Sequence, residues 1–281
     1  MSMHSHNFNE IRGSLRDLPD VGVQRCVDCG LTVHQSDVSS HVAYESGSMH
    51  NWAKSWGEIN PPLEDLERRA IAIRRLIGDG PNQNYLDFGC GTGSMVSEMR
   101  KTNSRAFGYD PDGDAIMPDL LKINAAVTSV ELLPSEPFRV LSLFHVIEHV
   151  YEIPGFLASL KPLLSETGYL LIETPNALDA LITHYECDEF LDFTFWSHHP
   201  NLCTNKFLEE ALEEAGYVVI DSSQVQRYGL NNHLHWLSEG KSGGHQIWSQ
   251  FVTDSASDLY GLGLIEKGIG DTIWIVAQPR N

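Results

Sequence analysis

Tyr85-Leu86-Asp87-Phe88-Gly89-Cys90-Gly91-Thr92-Gly93 is the stretch whose reading decides the fold of this chain. An apolar run ends at the acidic Asp87, and the glycines that follow let the backbone turn tightly and approach a ligand without side-chain obstruction. A strand leading into such a turn builds a cofactor site. The spacing argues against a dinucleotide, because the G-x-G-x-x-G fingerprint places its third glycine at position 94, where this chain has Ser94.

Outward from this loop the chain alternates helix and strand patterns, as in a sheet covered on both faces. Asn60-Pro61-Pro62 supplies a capping side chain and early prolines, Leu63, Leu66, Ala70, Ile73 and Ile77 form an apolar stripe, and Gly78 ends it, so an amphipathic helix is predicted here. Strands are predicted at about 84–89, 105–110, 127–130, 140–145, 168–174, 217–223 and 272–278. In an open α/β sheet the ligand lies beyond the carboxyl ends of the strands, so the residues just after each strand are the ones that matter.

Those residues resemble the class I S-adenosylmethionine-dependent methyltransferases. Four landmarks match in order: Leu86 to Gly93, Phe107-Gly108-Tyr109-Asp110, Glu131-Leu132-Leu133-Pro134, and Phe144-His145-Val146-Ile147-Glu148-His149-Val150. The resemblance covers roughly residues 60 to 224, with Asp271 to Gln278 as a last strand. It implies an α/β fold, a doubly wound, seven-stranded, mostly parallel Rossmann-like sheet. An N-terminal ribbon-like or lid segment (1–58) precedes the methyltransferase domain (59–281), which carries substrate insertions at about 176–203 and 225–270. The cofactor implied is S-adenosylmethionine, with Asp87, Gly89, Gly91, Gly93, Asp110, Glu131, Leu132, Phe144 and His145 around it. Asp110 would accept the ribose hydroxyls, or act only as a turn or helix-capping aspartate. Asp87 would support the loop or bind water near the amino acid portion, or be a structural turn carboxylate. Glu131 and Leu132 would line the adenine pocket, or belong to an ordinary solvated turn.

His145, Glu148 and His149 are the catalytic candidates, with His145 at the mouth of the fourth strand and Glu148 and His149 beginning the helix that follows. Methyl transfer is an in-line displacement, so the enzyme must align the acceptor, exclude water and take a proton from a hydroxyl acceptor, for which histidine is matched to neutral pH. The alternative is that His149 only packs against the cofactor loop. The same segment also matches H-x-x-E-H, a zinc-peptidase pattern that needs both histidines on one helix face. Here Val140 to Phe144 reads as a strand running into His145, against that pattern. A non-catalytic cofactor-binding protein is a further alternative, opposed by the polar residues at 145, 148 and 149.

Two insertions mix aromatic rings with hydrogen-bonding groups. Tyr185, Trp196, His198 and His199 come from the first, and Arg227, Tyr228, Asn232 and His233 from the second. Rings on apolar sugar faces, with Asn, His and Arg reading hydroxyls or a phosphate, would account for the mixture; so would an aromatic helix packed over the sheet. Arg227 to Leu237, followed by Gly243-Gly244-His245, is similar to methyltransferases of bacterial glycan and sugar-nucleotide gene neighbourhoods. The fuller N-terminal cysteine set of the keto-sugar C-methyltransferases is missing. The expected acceptor is therefore a small-molecule hydroxyl, on a sugar or sugar nucleotide.

At the N-terminus, Cys26-Val27-Asp28-Cys29-Gly30 resembles one knuckle of a zinc ribbon. His34, His41 or His50 could complete a zinc site; otherwise the pair is two reduced thiols. Tyr44, Trp52 and Trp56 read as a lid or interface. Composition bounds the rest. With 19 basic and 38 acidic residues the net charge is −19, which repels phosphate backbones and disfavours a nucleic-acid partner. No apolar run reaches the roughly 20 residues of a membrane span, no signal-peptide core is present, and the five cysteines form no even framework, so a cytoplasmic protein is expected.

Overall fold

The computed structural model describes residues 6–34, 62–78, 84–103 and 105–280. Three short antiparallel strands open the chain: β1 (Phe8–Arg12), β2 (Val23–Cys26) and β3 (Thr32–His34). Helix α1 (Leu63–Ile77) follows, with Pro62 at its N-cap and Gly78 at its end, where φ is +75°. Asn60 and Pro61, His41 and His50, Tyr44, Trp52 and Trp56, and the boundary near residue 58 lie outside the described residues.

The main sheet is built from β4 (Tyr85–Phe88), β5 (Ala106–Tyr109), β6 (Ala126–Val127), β7 (Phe138–Phe144), β8 (Leu164–Pro175), β10 (Tyr217–Val225) and β11 (Thr272–Pro279), in the spatial order β10-β11-β8-β7-β4-β5-β6. Strands β8, β7, β4, β5 and β6 run parallel, and β11 is antiparallel to both β8 and β10. The doubly wound, mostly parallel seven-stranded sheet expected from the sequence is thus present. The third strand is shorter than predicted because the chain turns after Val127 and makes a single 3-10 turn at Val130–Leu132.

Alternation along the strands sends side chains to two cores. On one face Tyr85, Val140 and Leu171 pack under Ala70, Ile73 and Ile77 of α1 and Met95 and Met99 of α2 (Ser94–Arg100). On the other, Leu86, Leu141 and Leu170 meet Ile153, Leu157 and Leu160 of α4 (Ile153–Leu160) and Phe207, Leu208, Ala211 and Leu212 of α7 (Asn205–Glu214). Between them in sequence, α3 is Pro118–Lys122.

Both insertions are structured. The first holds α5 (Ala180–Thr183), α6 (Asp188–Thr194) and β9 (Asn201–Leu202); the second holds α8 (Leu230–Glu239) and α9 (Asp254–Glu266). Strand β9 pairs with β3, so the first insertion completes the N-terminal sheet in the order β1-β2-β3-β9. Among the described residues no helix is long and apolar enough to cross a membrane.

Candidate active site

Strand order reverses at β4: β5 and β6 lie on one side of it, β7 and β8 on the other. Ligands of such sheets bind beyond the carboxyl ends at that switch point, between the loop after β4 and the segment after β7. In the first of these, Gly91 has φ +51° and a Cβ there would meet nothing within 4 Å, so this glycine faces open space. Gly89, with φ +77°, is closed in: a Cβ would come 2.6 Å from Val146 Cγ2. Gly93, with φ +80°, is the N-cap of α2. The loop is tied to β5 by amides of Gly89 and Cys90 donating to the Tyr109 carbonyl.

Asp110 sits directly after β5. Its Oδ2 accepts from the Gly91 amide at 2.8 Å and its Oδ1 from the Asp112 amide at 2.9 Å. These two amides thus take one acceptor site on each carboxylate oxygen. Asp87 lies lower, within the sheet, where it accepts from Ser142 Oγ at 2.7 Å, which lies 2.7 Å from the Tyr85 hydroxyl. Burial pushes the Asp87 pKa up to about 6 against the effect of these hydroxyls and Arg69. Glu131 and Leu132 are exposed after β6. Phe144 is buried and stacks on Trp274, with Arg69 over its ring at 4.5 Å, so its side chain is part of the α1-side core.

Beyond β7 the sequence candidates separate into two groups. His145 has the left-handed φ of +56°, uncommon for a residue with a side chain, and its amide donates to the Glu173 carbonyl. Its Nδ1 lies 3.1 Å from Glu148 Oε1, and its Nε2 lies 2.8 Å from Arg227 Nη1 and 3.6 Å from Glu173 Oε1. Burial and the Arg227 charge oppose protonation of His145; the two carboxylates favour it and prevail, raising its pKa. The 2.8 Å contact with a guanidinium, which can only donate, fits the neutral ring, in which Nδ1–H donates to Glu148 and Nε2 accepts from Arg227, so both ring nitrogens are engaged by protein groups.

A buried charge network surrounds it. Glu173 receives Arg69 at 2.6 Å and Arg68 at 2.9 Å, while Arg227 also binds Asp65 at 2.7 Å. Burial alone would raise the carboxylate, but His145 and Arg69 hold Glu173 well below its ordinary range. Glu148, 1% exposed, accepts from Thr174 Oγ1 and is pulled down to about 2 by His145 despite burial.

His149 belongs to the second group. Its Nδ1–H donates to the His198 carbonyl at 2.7 Å, which places the lone pair of the neutral ring on Nε2. Burial lowers its pKa, with Glu148 opposing. The His199 ring centroid is 4.9 Å away, and His198 stacks on Trp196 at 4.5 Å. His149, just beyond β7, thus meets His198 and His199 of the first insertion, which pack in turn on Trp196. Burial holds His199 down to about 3, a neutral imidazole whose Nδ1 lies on the Thr194 carbonyl.

The sequence pattern places Glu148 and His149 at the start of the helix after β7. Instead Ile147–His149 is one 3-10 turn, and α4 begins at Ile153, capped by Glu152. This geometry removes the H-x-x-E-H peptidase reading: no α-helix carries the two imidazoles, and Glu148 is bonded to His145. The second insertion also divides. Arg227 joins the charge network, whereas His233 is buried beside Tyr260 (2.8 Å), whose hydroxyl is 3.0 Å from that of Tyr185. Tyr228 is partly exposed with Arg227 over its ring, and Asn232 is half-buried on α8.

Sequence reasoning missed Glu173, Asp65, Arg68, Arg69 and Thr174. A signal existed for three of them: Asp65 and Arg69 stand eight and four residues before Ile73, on the apolar stripe of α1, and Glu173 interrupts the buried run of β8. At the N-terminus, Cys26 and Cys29 are joined by His6, which no sequence pattern singles out, with its Nδ1 3.4 Å and 3.6 Å from the two sulfurs. His34 instead lies 3.1 Å from the Trp196 carbonyl. Among the described residues, His6, Cys26 and Cys29 are the one group of metal-ligating side chains whose donor atoms converge.

Comparison with known proteins agrees with the geometry. Ubiquinone biosynthesis O-methyltransferase of Rhodopseudomonas palustris strain BisB5 is 32% identical over 119 residues, which is 40% of this chain and 46% of that protein. The corresponding protein of Bradyrhizobium sp. strain ORS 278 is 27% identical over 119 residues. The chain thus spans about half the length of the curated relatives it matches. Among solved structures, an S-adenosylmethionine-dependent methyltransferase of Thermotoga maritima superposes with a TM-score of 0.50 at 17% identity, covering 85% of this chain and 99% of that one. A chain from the Haloferax volcanii complex of the Trm112 activator with a methyltransferase gives 0.53 at 13%, covering 85% and 98%. These two likenesses speak to the fold. The family model described as methyltransferase domain matches residues 63–222, more than half of the chain, and the chain belongs to that family.

Proposed function

We propose that this protein transfers a methyl group from S-adenosylmethionine to a hydroxyl of a small molecule. The observation that carries the reading is Asp110 bound to the Gly91 amide at the switch point, below open space. Gly89, Gly91 and Gly93 would let the cofactor approach the backbone, and Asp110 would accept its ribose hydroxyls, with Glu131 and Leu132 toward the adenine. When bound, S-adenosylmethionine supplies an electrophilic methyl on sulfur. His149 takes the acceptor's proton: it is neutral, with the lone pair on Nε2. His145 and Glu148 hold the floor of the site through Arg227 and Thr174. Sugar or sugar-nucleotide acceptors would be read by Tyr228, Asn232 and Tyr185. A phenolic hydroxyl is the second reading, favoured by the relatives' naming as O-methyltransferases of ubiquinone biosynthesis. The buried cysteines, none of them in a disulfide among the described residues, fit a cytoplasmic setting. The Cys26 and Cys29 knuckle is read as part of a zinc position that holds structure and takes no part in methyl transfer.

The test is a methyl-transfer assay with labelled cofactor against sugar nucleotides and simple phenols. His149→Ala should lower kcat by about 10²- to 10⁴-fold, the range of a general base, with little change in cofactor affinity. Unchanged turnover in that variant would remove His149 from the chemistry.

A further inference from the structure

The Cys26–Cys29 knuckle is a tight turn closed by the Gly30 amide on the Cys26 carbonyl at 2.9 Å and the Cys26 amide on the Leu31 carbonyl at 2.8 Å. Gly30 has φ +77°, and a Cβ there would lie 2.8 Å from Thr204 Cγ2, so only glycine lets the turn sit this close to the start of α7. Both cysteines are buried, at 1% and 4% exposure. The His6 ring is steered toward them by Phe8 and Phe207, with ring centroids 5.4 Å and 6.0 Å away.

One ring nitrogen faces two sulfurs, at 3.4 Å and 3.6 Å. A neutral imidazole nitrogen has a single lone pair, so it cannot make two good S–H···N bonds with it. A tetrahedral Zn²⁺, with Zn–S about 2.3 Å and Zn–N about 2.0–2.1 Å, sets its nitrogen and sulfur donors about 3.6 Å apart. The observed spacings fit a shared cation. Two thiolates and an imidazole also form a soft set that selects zinc over magnesium or calcium.

We propose that His6 is the third protein ligand of a zinc ion held by Cys26 and Cys29, and that this ion clasps the N-terminal strand to the catalytic domain. The inference rests on the zinc reading of the knuckle and is independent of the methyl acceptor. Binding replaces two S–H bonds by two Zn–S bonds and releases two protons to solvent, with no change of oxidation state. The clasp reaches the catalytic domain through the knuckle: the Thr204 hydroxyl donates to the Cys29 carbonyl, and Lys206 Nζ to the Asp28 carbonyl at 2.7 Å. Thr204 caps α7, and β9 just before it pairs with β3 and follows the segment bearing His198 and His199. The site therefore ties β1 to the wall that carries the histidine group.

The experiment uses the full chain without an affinity tag, purified from zinc-supplemented medium. Elemental analysis should give one zinc per chain, and X-ray absorption on the wild-type protein should give a shell of two sulfurs with nitrogen or oxygen. Cobalt-substituted protein should show thiolate-to-cobalt charge transfer, and chelation should lower Tm. His6→Ala should weaken zinc binding by at least about tenfold and alter the cobalt spectrum, while His34→Ala leaves both unchanged. Wild-type protein with neither zinc nor a cobalt band overturns the zinc reading and the inference together. Wild-type zinc with His6→Ala unchanged in affinity and spectrum overturns the role of His6 alone.

Discussion

Asp87 carries a cost that can be measured by itself. Its folded pKa of about 6 lies above the ordinary aspartate value, so between these two values the folded state binds more protons than the unfolded chain, and stability falls as pH rises through that window. A carboxyl lifted from about 4 to about 6 is disfavoured as the anion by about 3 kcal/mol. Asp87→Asn keeps an acceptor for Ser142 and removes the charge. It should gain on the order of 2–3 kcal/mol over wild type at pH 8 and little at pH 4, read by urea unfolding at both. An equal gain at both would contradict the burial account. Single residues were legible where their neighbours in sequence were their neighbours in space: the glycine loop and Asp110 declared themselves by spacing. His145 was singled out too, but the environment of its ring was not legible beyond Glu148, because Arg227 on its Nε2 comes from the second insertion and Glu173 beside it from β8. His6 was invisible for the same reason, since Cys26 and Cys29, which its ring faces, lie on the neighbouring strand and turn of a small sheet.

At the scale of elements, α1 is bolted to β8 by charge as well as by apolar packing. Arg69 is 4% exposed and Glu173 fully buried, and removing Arg69 leaves Glu173 to the more exposed Arg68 and to the more distant His145 and Arg227. Arg69→Met should cost about 1.5–3 kcal/mol in chemical denaturation, with Glu173→Leu added on top recovering part of the loss. If the double variant is worse than the single by the full amount again, the pair is not the unit described. Helix α8 is joined to α9 through His233 and Tyr260. Burial holds His233 down to about 4, so below the ordinary imidazole pKa the unfolded chain binds the extra proton and stability drops as pH falls. His233→Gln should therefore flatten the fall of Tm between pH 7 and pH 5; a slope identical to wild type would exclude His233 as its source. The seven main strands were legible from apolar runs and alternation. The helices of the insertions were not, since their aromatic and histidine content reads equally as pocket lining and as packed helix, and in the structure Trp196 and His233 are packed while Tyr185 and Tyr228 reach the surface.

For the whole molecule, the decisive arrangement is the meeting of four distant segments: the glycine loop after β4, the histidine turn after β7, the first insertion with His198 and His199, and the second with Arg227. In the proposed function the sheet supplies the cofactor side and the insertions the acceptor side, so changes in the insertions should move acceptor preference without moving cofactor affinity. Tyr228→Ala should raise the acceptor KM several-fold and leave the cofactor Kd within about twofold, read by steady-state kinetics and calorimetry. A ligand that binds only the folded state stabilises it by about 2.7 kcal/mol at a hundred times its Kd, so the cofactor should also raise Tm where NAD does not. The most direct measurement is calorimetric binding of S-adenosylmethionine, S-adenosylhomocysteine and NAD to wild-type protein and to Asp110→Ala. The account predicts micromolar binding of both adenosyl compounds to wild type, weakened at least about tenfold in the variant, and none of NAD. No binding of either adenosyl compound, or tighter binding of NAD, would contradict it.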